Sequence, residues 1–167
     1  FAGFDASKSL CSTSHVGLDG TTRANRPSVD IGLSVTAIQG MVTRFRRMTN
    51  QRGLPMNMAP AMLIIAPEQL FTAREVLGSS GAPYKTDNEI NSVVPEGLRY
   101  FSTPYKTSTT SWLALAKKGE HDLNFMYRDR PMFDSWDDPT TKNAVFSVYQ
   151  RHTQGYGSYF GVDGSAG

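Results

Sequence analysis

The sequence predicts a mixed α/β (α+β) domain, because its hydrophobic pattern changes between helical and strand periods along the chain. Apolar residues recur every three or four positions within Ser34–Arg52, which is typical of one buried helical face. A continuous apolar run, Met62–Ala66, indicates a strand buried on both faces, and later runs alternate with a period of two. With 167 residues, the chain has the size of one domain.

The first half of the chain contains clear start and stop signals. Its first 30 residues are rich in Ser, Thr, Gly, Asp and Asn and predict a loop or hairpin that lies against the rest of the domain, with a turn at Leu18–Thr22. Ser34 is the expected N-cap of a first helix, which should end before Gly53 and Pro55. A second helix is expected over Pro67–Leu77, since proline suits the first helical turn.

The second half predicts mainly strands. The segment Gly78–Asn91 contains Gly, Ser, Pro and Asn and predicts a mobile surface loop without a role in the core. A turn is expected at Asp134–Pro139, and a glycine-aromatic tail at Gly155–Gly161. Four strands are expected here, the third of them half-buried: Leu98–Ser102, Ser111–Ala116, Leu123–Tyr127 and Ala144–Arg151.

Composition excludes several classes of function. The net charge of +2 is too balanced for a dedicated nucleic-acid-binding protein. The single cysteine, Cys11, excludes an internal disulfide and a cysteine-rich zinc site. No apolar run is long enough to predict a membrane-spanning helix. Four arginines crowd the end of the first predicted helix, and we interpret them as stabilising its C-terminus and facing solvent: Arg44, Arg46, Arg47 and Arg52.

No motif indicates catalysis, a cofactor or a metal centre. The three histidines are far apart and lack the short spacing of metal-binding helices. Asp134, Asp137 and Asp138 do not follow the ligand pattern of a calcium loop, and no Gly-X-Ser-X-Gly motif is present. We therefore expect no enzyme activity and no cofactor. For the many aromatic residues, packing in the core and sheet is the first expectation and burial between subunits the second.

A series of short motifs runs through nearly the whole chain in a fixed order. In that order, they resemble the major capsid proteins of tailed bacteriophages with the HK97-type fold, in particular the Mu-like major head subunits. The motifs are Leu10–His15, Asn25–Ser28, Leu33–Ala37, Met62–Pro67, Phe71–Glu75, Leu77–Ser79, Asn88–Asn91, Ser102–Tyr105, Trp112, Asp129–Pro131 and the glycine-aromatic tail.

The resemblance implies an axial domain near the centre of each pentamer or hexamer and a peripheral domain with long strands. We expect a peripheral segment at 1–33, the axial domain at 34–116, and peripheral strands with a C-terminal tail at 117–167. Family members carry an N-terminal arm, an extended hairpin loop and a spine helix before this region. The chain, which begins at Phe1, is therefore expected to be the C-terminal portion of a subunit.

The resemblance also implies the partners and the location. The protein should assemble with itself into an icosahedral shell, in the bacterial host cytoplasm, and reside in the virion. It should enclose double-stranded DNA without reading its sequence, and meet decoration, scaffold or portal proteins, but no membrane. The subunit-interface candidates are Tyr84, Lys85, Asp87, Asn88, Arg128, Arg130, Asp134, Asp137 and Asp138.

Two other functions stay open from the sequence. One is a tail-associated or adhesin-like binding module of a phage, and the other is a non-catalytic fragment of a larger enzyme. Ala144–Arg151 should leave an open strand edge, so the isolated chain is expected to aggregate or to expose apolar surface.

Overall fold

The computed structural model describes residues 8–81 and 90–167. Its helices are α1 (Val35–Arg46) and α2 (Leu70–Gly78), and short 3-10 turns lie at Pro67–Gln69 and Val94–Glu96. The strands of the described residues are β1 (His15–Val16), β2 (Thr22–Arg23), β3 (Pro60–Ile65), β4 (Arg99–Ser102), β5 (Trp112–Ala116), β6 (Leu123–Asp137), β7 (Ala144–Tyr156) and β8 (Val162–Ser165). The predicted mixed α/β class is confirmed.

Helix α1 begins where the sequence predicts but ends earlier. The Ser34 hydroxyl accepts a hydrogen bond from the Ala37 amide at 3.1 Å, which confirms the predicted N-cap. The helix stops at Arg46, not near Arg52. The reason lies in the turn that follows, because the Asn50 side chain accepts hydrogen bonds from the amides of Arg52 and Leu54 and thereby competes with further helix.

A four-stranded mixed sheet carries the core. The strand order is β4-β3-β5-β8, with β4 parallel to β3 and the other neighbours antiparallel. Both helices pack on one face of this sheet. The buried residues of this layer are Ala37, Ile38, Met41 and Phe45 from α1, Ala73 and Val76 from α2, and Leu63, Ile65, Trp112 and Ala114 from the sheet.

The other face of the sheet is largely uncovered among the described residues. The prediction that Met62–Ala66 is buried on both faces is wrong, because Met62 is 41% exposed and Ile64 is partly exposed. Their cross-strand partners lie on the same face. These partners include Phe101 beside Ile64, with Leu113 on the other side, and Arg99 and Leu115 beside Met62. We call this surface the open sheet face.

Strand β8 joins the C-terminal tail to the same sheet. Asp163 pairs with Ala114, and Gly164 pairs with Leu113. A Cβ at Gly164 would lie 3.0 Å from Leu113 Cδ1 and 3.1 Å from Cys11 Sγ, so glycine permits this close approach. The sequence predicts a tail here and no strand, because Val-Asp-Gly-Ser has weak strand propensity.

The N-terminal segment is tied to β8 through the buried side chain of Asn25. Its amide donates to the carbonyl oxygens of Leu10 and Val162, and its oxygen accepts from the Ser12 amide at 2.8 Å. The β1–β2 hairpin confirms the expected hairpin in this region. Residues on either side of 33 and 116 therefore pack into one compact unit of helices, central sheet and N-terminal segment.

Strands β6 and β7 form a long antiparallel hairpin with 15 and 13 residues. The prediction that β6 ends at Tyr127 is wrong, and the predicted turn at Asp134–Pro139 begins four residues too early, since only Asp138 and Pro139 of that range lie in the observed reversal. Asp134–Asp137 still pair with β7, and the reversal comes after Asp137. Most of the hairpin is exposed on both sides, so the prediction of a half-buried strand is also wrong.

The residues that follow α2 have one core role that the sequence did not predict. Asn91 is buried, and its side-chain amide donates to the carbonyl oxygens of Val76 at 2.6 Å and Ser79 at 3.0 Å. Carbonyl groups at the end of a helix lack intrahelical partners, and Asn91 supplies one. The predicted loop is thus anchored at its C-terminal end.

Candidate functional site

The hairpin exposes large apolar side chains along one continuous face. Cross-strand partners share a face, and alternate residues of β7 return to it. Phe133 pairs with Val148, Phe125 with Gln154, and Tyr127 with His152, while Phe146 is two residues from Val148. We call this surface the aromatic face and define it as Phe125, Tyr127, Phe133, Phe146, Val148 and His152.

The rings of the aromatic face contact one another. Phe125 and Tyr127 meet edge to face, with centroids 4.9 Å apart, and Phe133 and Phe146 stack at 6.0 Å. Phe133 nevertheless remains 70% exposed. Monomeric proteins rarely expose contiguous apolar surface of this kind, and such patches are typical of interaction sites.

Two irregularities in β6 place Asp129 on the side of the hairpin opposite to the aromatic face. The register shifts between Tyr127 and Asp129 and again between Asp129 and Met132. Asp129 therefore pairs with Arg151, on the face opposite to Tyr127, although two residues along a regular strand would share a face. The second shift brings Phe133 back to the side of Tyr127.

The far end of the hairpin is acidic. Asp134 and Asp137 lie at the end of β6, and Asp138 opens the turn. The Asp138 carboxylate accepts hydrogen bonds from the Thr141 hydroxyl and the Thr140 amide, which lower its pKa. Residues 133–148 contain these three aspartates and one basic residue, Lys142, so the segment carries a net negative charge. We call residues 133–148 the hairpin tip.

A second exposed surface has the opposite charge. At one end of the open sheet face, a depression is lined by Met62 and Leu115 together with basic side chains. The basic residues are Arg99, Lys117 and Lys118, with His121 beside them, and Glu96 is the one acidic residue of this lining. Among its apolar neighbours, Phe101 is 57% exposed.

The structure describes only part of the predicted interface set. Tyr84, Lys85, Asp87 and Asn88 belong to residues 82–89, which lie outside the described residues. The other five candidates all lie on the hairpin and are exposed or partly exposed, with Arg128 and Arg130 in its irregular middle and Asp134, Asp137 and Asp138 at its tip. Their role at an interface stays a prediction.

Sequence analysis missed the aromatic face and the basic end of the open sheet face. The signal for the first was present in the alternation of aromatic residues on both sides of Asp129. We expected these aromatic residues to pack in the core and sheet first and between subunits second, because the pattern does not distinguish a packed face from an uncovered one. The signal for the second was the pair Lys117-Lys118 directly after an apolar strand.

The arginines of α1 are partly paired, which the sequence did not predict. Arg44 donates two hydrogen bonds, at 2.6 and 2.8 Å, to the fully buried carboxylate of Asp163 in β8. Burial raises the pKa of Asp163, and the Arg44 guanidinium opposes that increase. Arg46 lies 3.4 Å from Glu96. Arg44 thus joins the helix to the edge of the sheet.

Within the described residues, the side chains that could bind a metal ion or act as a nucleophile do not cluster into a reactive site. Burial is the main reason that the pKa of Cys11 is raised to about 12, which keeps the thiol protonated and weakly nucleophilic. Across residues 8–81 and 90–167, no three His, Cys, Asp or Glu side chains are placed to hold a metal ion. Neither helix of this part of the chain is long and apolar enough to cross a membrane.

The described residues form a compact unit that carries a long hairpin with exposed apolar side chains, which is typical of a protein that works by binding other proteins. Comparison with known proteins agrees with such a structural role. The family described as phage capsid protein matches residues 10–162, and the chain belongs to that family. No curated protein sequence is significantly similar to the chain.

The fold is similar to that of a protein of known structure. The crystal structure of a virus-like particle from Pyrococcus furiosus aligns with a TM-score of 0.51 and 10% sequence identity. The alignment covers 84% of this chain and 55% of that chain, so the sequence spans about half of the length of its structural neighbour.

Proposed function

We propose that the chain is part of a major capsid subunit of the HK97 type, on the Mu-like branch, which assembles with copies of itself into an icosahedral shell around phage DNA. Family membership supports the capsid role. The single observation that carries self-assembly is the aromatic face, since Phe133, Phe146 and Val148 are each at least 66% exposed. Such side chains are stabilised when a partner covers them.

Within such a subunit, we assign the central sheet with its two helices to the axial domain and the hairpin to the peripheral domain. The hydrogen bonds of Asn25 to β8 favour placing the N-terminal segment and β8 with the axial part. This assignment moves the boundaries that the sequence predicted after residues 33 and 116.

Contact with DNA would be to phosphate and independent of sequence. The chain has a nearly balanced charge, and two of the four arginines around α1 are engaged by Asp163 and Glu96. Few cations then remain on this helix for a dedicated nucleic-acid surface.

A matched pair of variants tests the role of the aromatic face. Phe133→Ser combined with Phe146→Ser removes two exposed rings from the hairpin, and Phe71→Ser removes a ring that is equally exposed, at 70%, from α2. Sedimentation velocity and negative-stain electron microscopy should show rings or larger particles for the unmodified chain and for Phe71→Ser. The hairpin variant should sediment as a folded monomer.

A chain that stays monomeric would contradict the proposal. If the unmodified chain remains a monodisperse monomer at every concentration, self-assembly through this surface is refuted. The adhesin-like binding module then becomes the better hypothesis.

A further inference from the structure

The two exposed surfaces of the chain are complementary to each other. The hairpin tip presents apolar rings and an excess of acidic groups, whereas the open sheet face presents apolar side chains next to Arg99, Lys117 and Lys118. On the hairpin, Asp137 pairs with Ala144 on the side of the aromatic face, whereas Asp134 pairs with Ser147 on the opposite side. On the sheet, the basic residues line the same depression as Met62 and Leu115. Opposite charge around an apolar contact directs encounter and fixes orientation between protein surfaces.

We propose that the hairpin tip of one copy docks on the open sheet face of a second copy. This inference rests on the self-assembly proposed above and names the surface that receives the hairpin. Phe133, Phe146 and Val148 would cover the apolar part of the sheet, and Asp137, with Asp138 in the turn, would lie next to the basic end. The occupant is a second copy, because the same chain supplies both surfaces with matching chemistry.

The hairpin tip cannot cover the open sheet face of its own chain. It starts at Leu123, and His121, two residues earlier, lines the depression at the basic end of the open sheet face. From there β6 runs 15 residues in paired, extended conformation, so the tip lies about 45 Å from the base of the hairpin. A paired two-stranded hairpin of this length would have to break its ladder to return to the sheet.

The contact would be heterologous, since tip and sheet are different surfaces. Each copy then offers one donor and one acceptor, and the contact repeats from copy to copy. A repeated heterologous contact closes into a ring if the rotation between copies permits it, and extends without closure if it does not. This geometry agrees with the rings from which a shell is built.

Charge reversal on each surface tests the docking. One variant combines Ser135→Lys with Asp137→Lys, both on the side of the aromatic face, and leaves the turn aspartate, Asp138, intact. The other combines Lys117→Glu with Lys118→Glu. Each variant alone should need about a tenfold higher concentration to associate, because like charges then face each other across the contact. Sedimentation velocity of the full 167-residue chain measures this shift.

Mixing gives the decisive result. In an equimolar mixture, the basic tip of the first variant meets the acidic sheet of the second, and the remaining pair retains the original charges. Association should therefore return to the unmodified level. A control with Arg47→Glu and Arg52→Glu makes the same change in net charge as Lys117→Glu/Lys118→Glu, on exposed residues near the end of α1, and should associate normally.

Three outcomes would overturn the docking. Unchanged association of Lys117→Glu/Lys118→Glu, failure of the mixture to recover, or equal loss in the control would each show that the tip meets a different surface. If Phe133→Ser/Phe146→Ser still abolishes assembly in those cases, the proposed capsid function stands without this docking. If the unmodified chain does not associate at all, both proposals fail.

Discussion

The two tryptophans of this chain show how the compact unit differs from the hairpin. Trp112, in β5, is 1% exposed, and its indole nitrogen donates to the Ile31 carbonyl at 2.9 Å. Trp136, near the hairpin tip, is 50% exposed. The same residue type therefore holds the compact unit together in one region and is available for contact in the other. Aromatic content in a strand predicts burial but does not tell which molecule provides it.

The acidic residues show the same contrast. Asp163 is fully buried in the compact unit and is neutralised by Arg44. The hairpin aspartates remain exposed or partly exposed, and the Asp138 carboxylate accepts hydrogen bonds from two threonines of its own turn. The buried carboxylate of the compact unit has a cation as its partner, whereas the hairpin presents its carboxylates outward. Substitutions in the two regions should accordingly separate stability from assembly.

The largest effect on stability should come from Trp112→Ala. The change would leave a cavity beside Leu63 and Ile65 and lower the free energy of unfolding by about 3–5 kcal/mol. Urea denaturation followed by circular dichroism measures this loss. A decrease below about 1 kcal/mol would mean that the site collapses around the cavity, and the contrast between the two regions would then weaken.

An intermediate effect is expected for Arg44→Met, which keeps an apolar stem but leaves Asp163 without its cation. Breaking a buried pair typically costs about 3–5 kcal/mol, and we expect about 2–3 kcal/mol here, because Arg44 is partly exposed to solvent. Urea denaturation at neutral pH provides the measurement. Stability equal to that of the unmodified chain would show that Asp163 does not depend on this arginine.

The cost of Arg44→Met should depend on pH. Burial already raises the pKa of Asp163, and losing Arg44 raises it further. A carboxyl group with a raised pKa in the folded state favours folding below its unfolded pKa and loses that contribution as pH rises through the folded value. The destabilisation should therefore shrink as pH falls from about 7 to about 4. Adding Asp163→Asn to the variant should abolish this dependence.

The smallest effect on stability should come from Trp136→Ala. Its side chain is half exposed and packs mainly across the strand pair, so we expect a loss of about 0.5 kcal/mol or less. Trp136 pairs with Val145 on the side opposite to the aromatic face, so assembly should weaken less than in Phe133→Ser/Phe146→Ser. Denaturation and sedimentation velocity on the same sample separate the two effects. A loss as large as that of Trp112→Ala would show that the hairpin is part of the folding core.

Local signals predicted most elements of the compact unit. The Ser34 cap, the three-and-four spacing of α1, and the proline at the start of the second helical segment were all correct. Each depends on residues close in sequence, where capping and periodicity act directly. The end of α1 was misplaced, because the side chain of Asn50 forms a turn that competes with the helix.

The candidate site was less predictable than the fold. The structure places five of the interface candidates on the hairpin, but the sequence analysis did not identify the aromatic face beside them. Whether Phe133 is buried depends on what lies above the hairpin, and the period of a strand carries no information about that. The two irregularities around Asp129 also depend on pairing with β7 and cannot be predicted from β6 alone.

Local sequence patterns sufficed to predict the mixed class, both helices and the strands β3 and β5, and they carry the resemblance to phage capsid proteins. Those features follow from propensity, capping and hydrophobic period over a few residues. Tertiary structure alone decided that β8 completes the sheet, that Arg44 finds Asp163 119 positions away, and that one sheet face and the hairpin stay uncovered. These are long-range events, because pairing and burial depend on which distant segments meet, and a local pattern does not encode the partner.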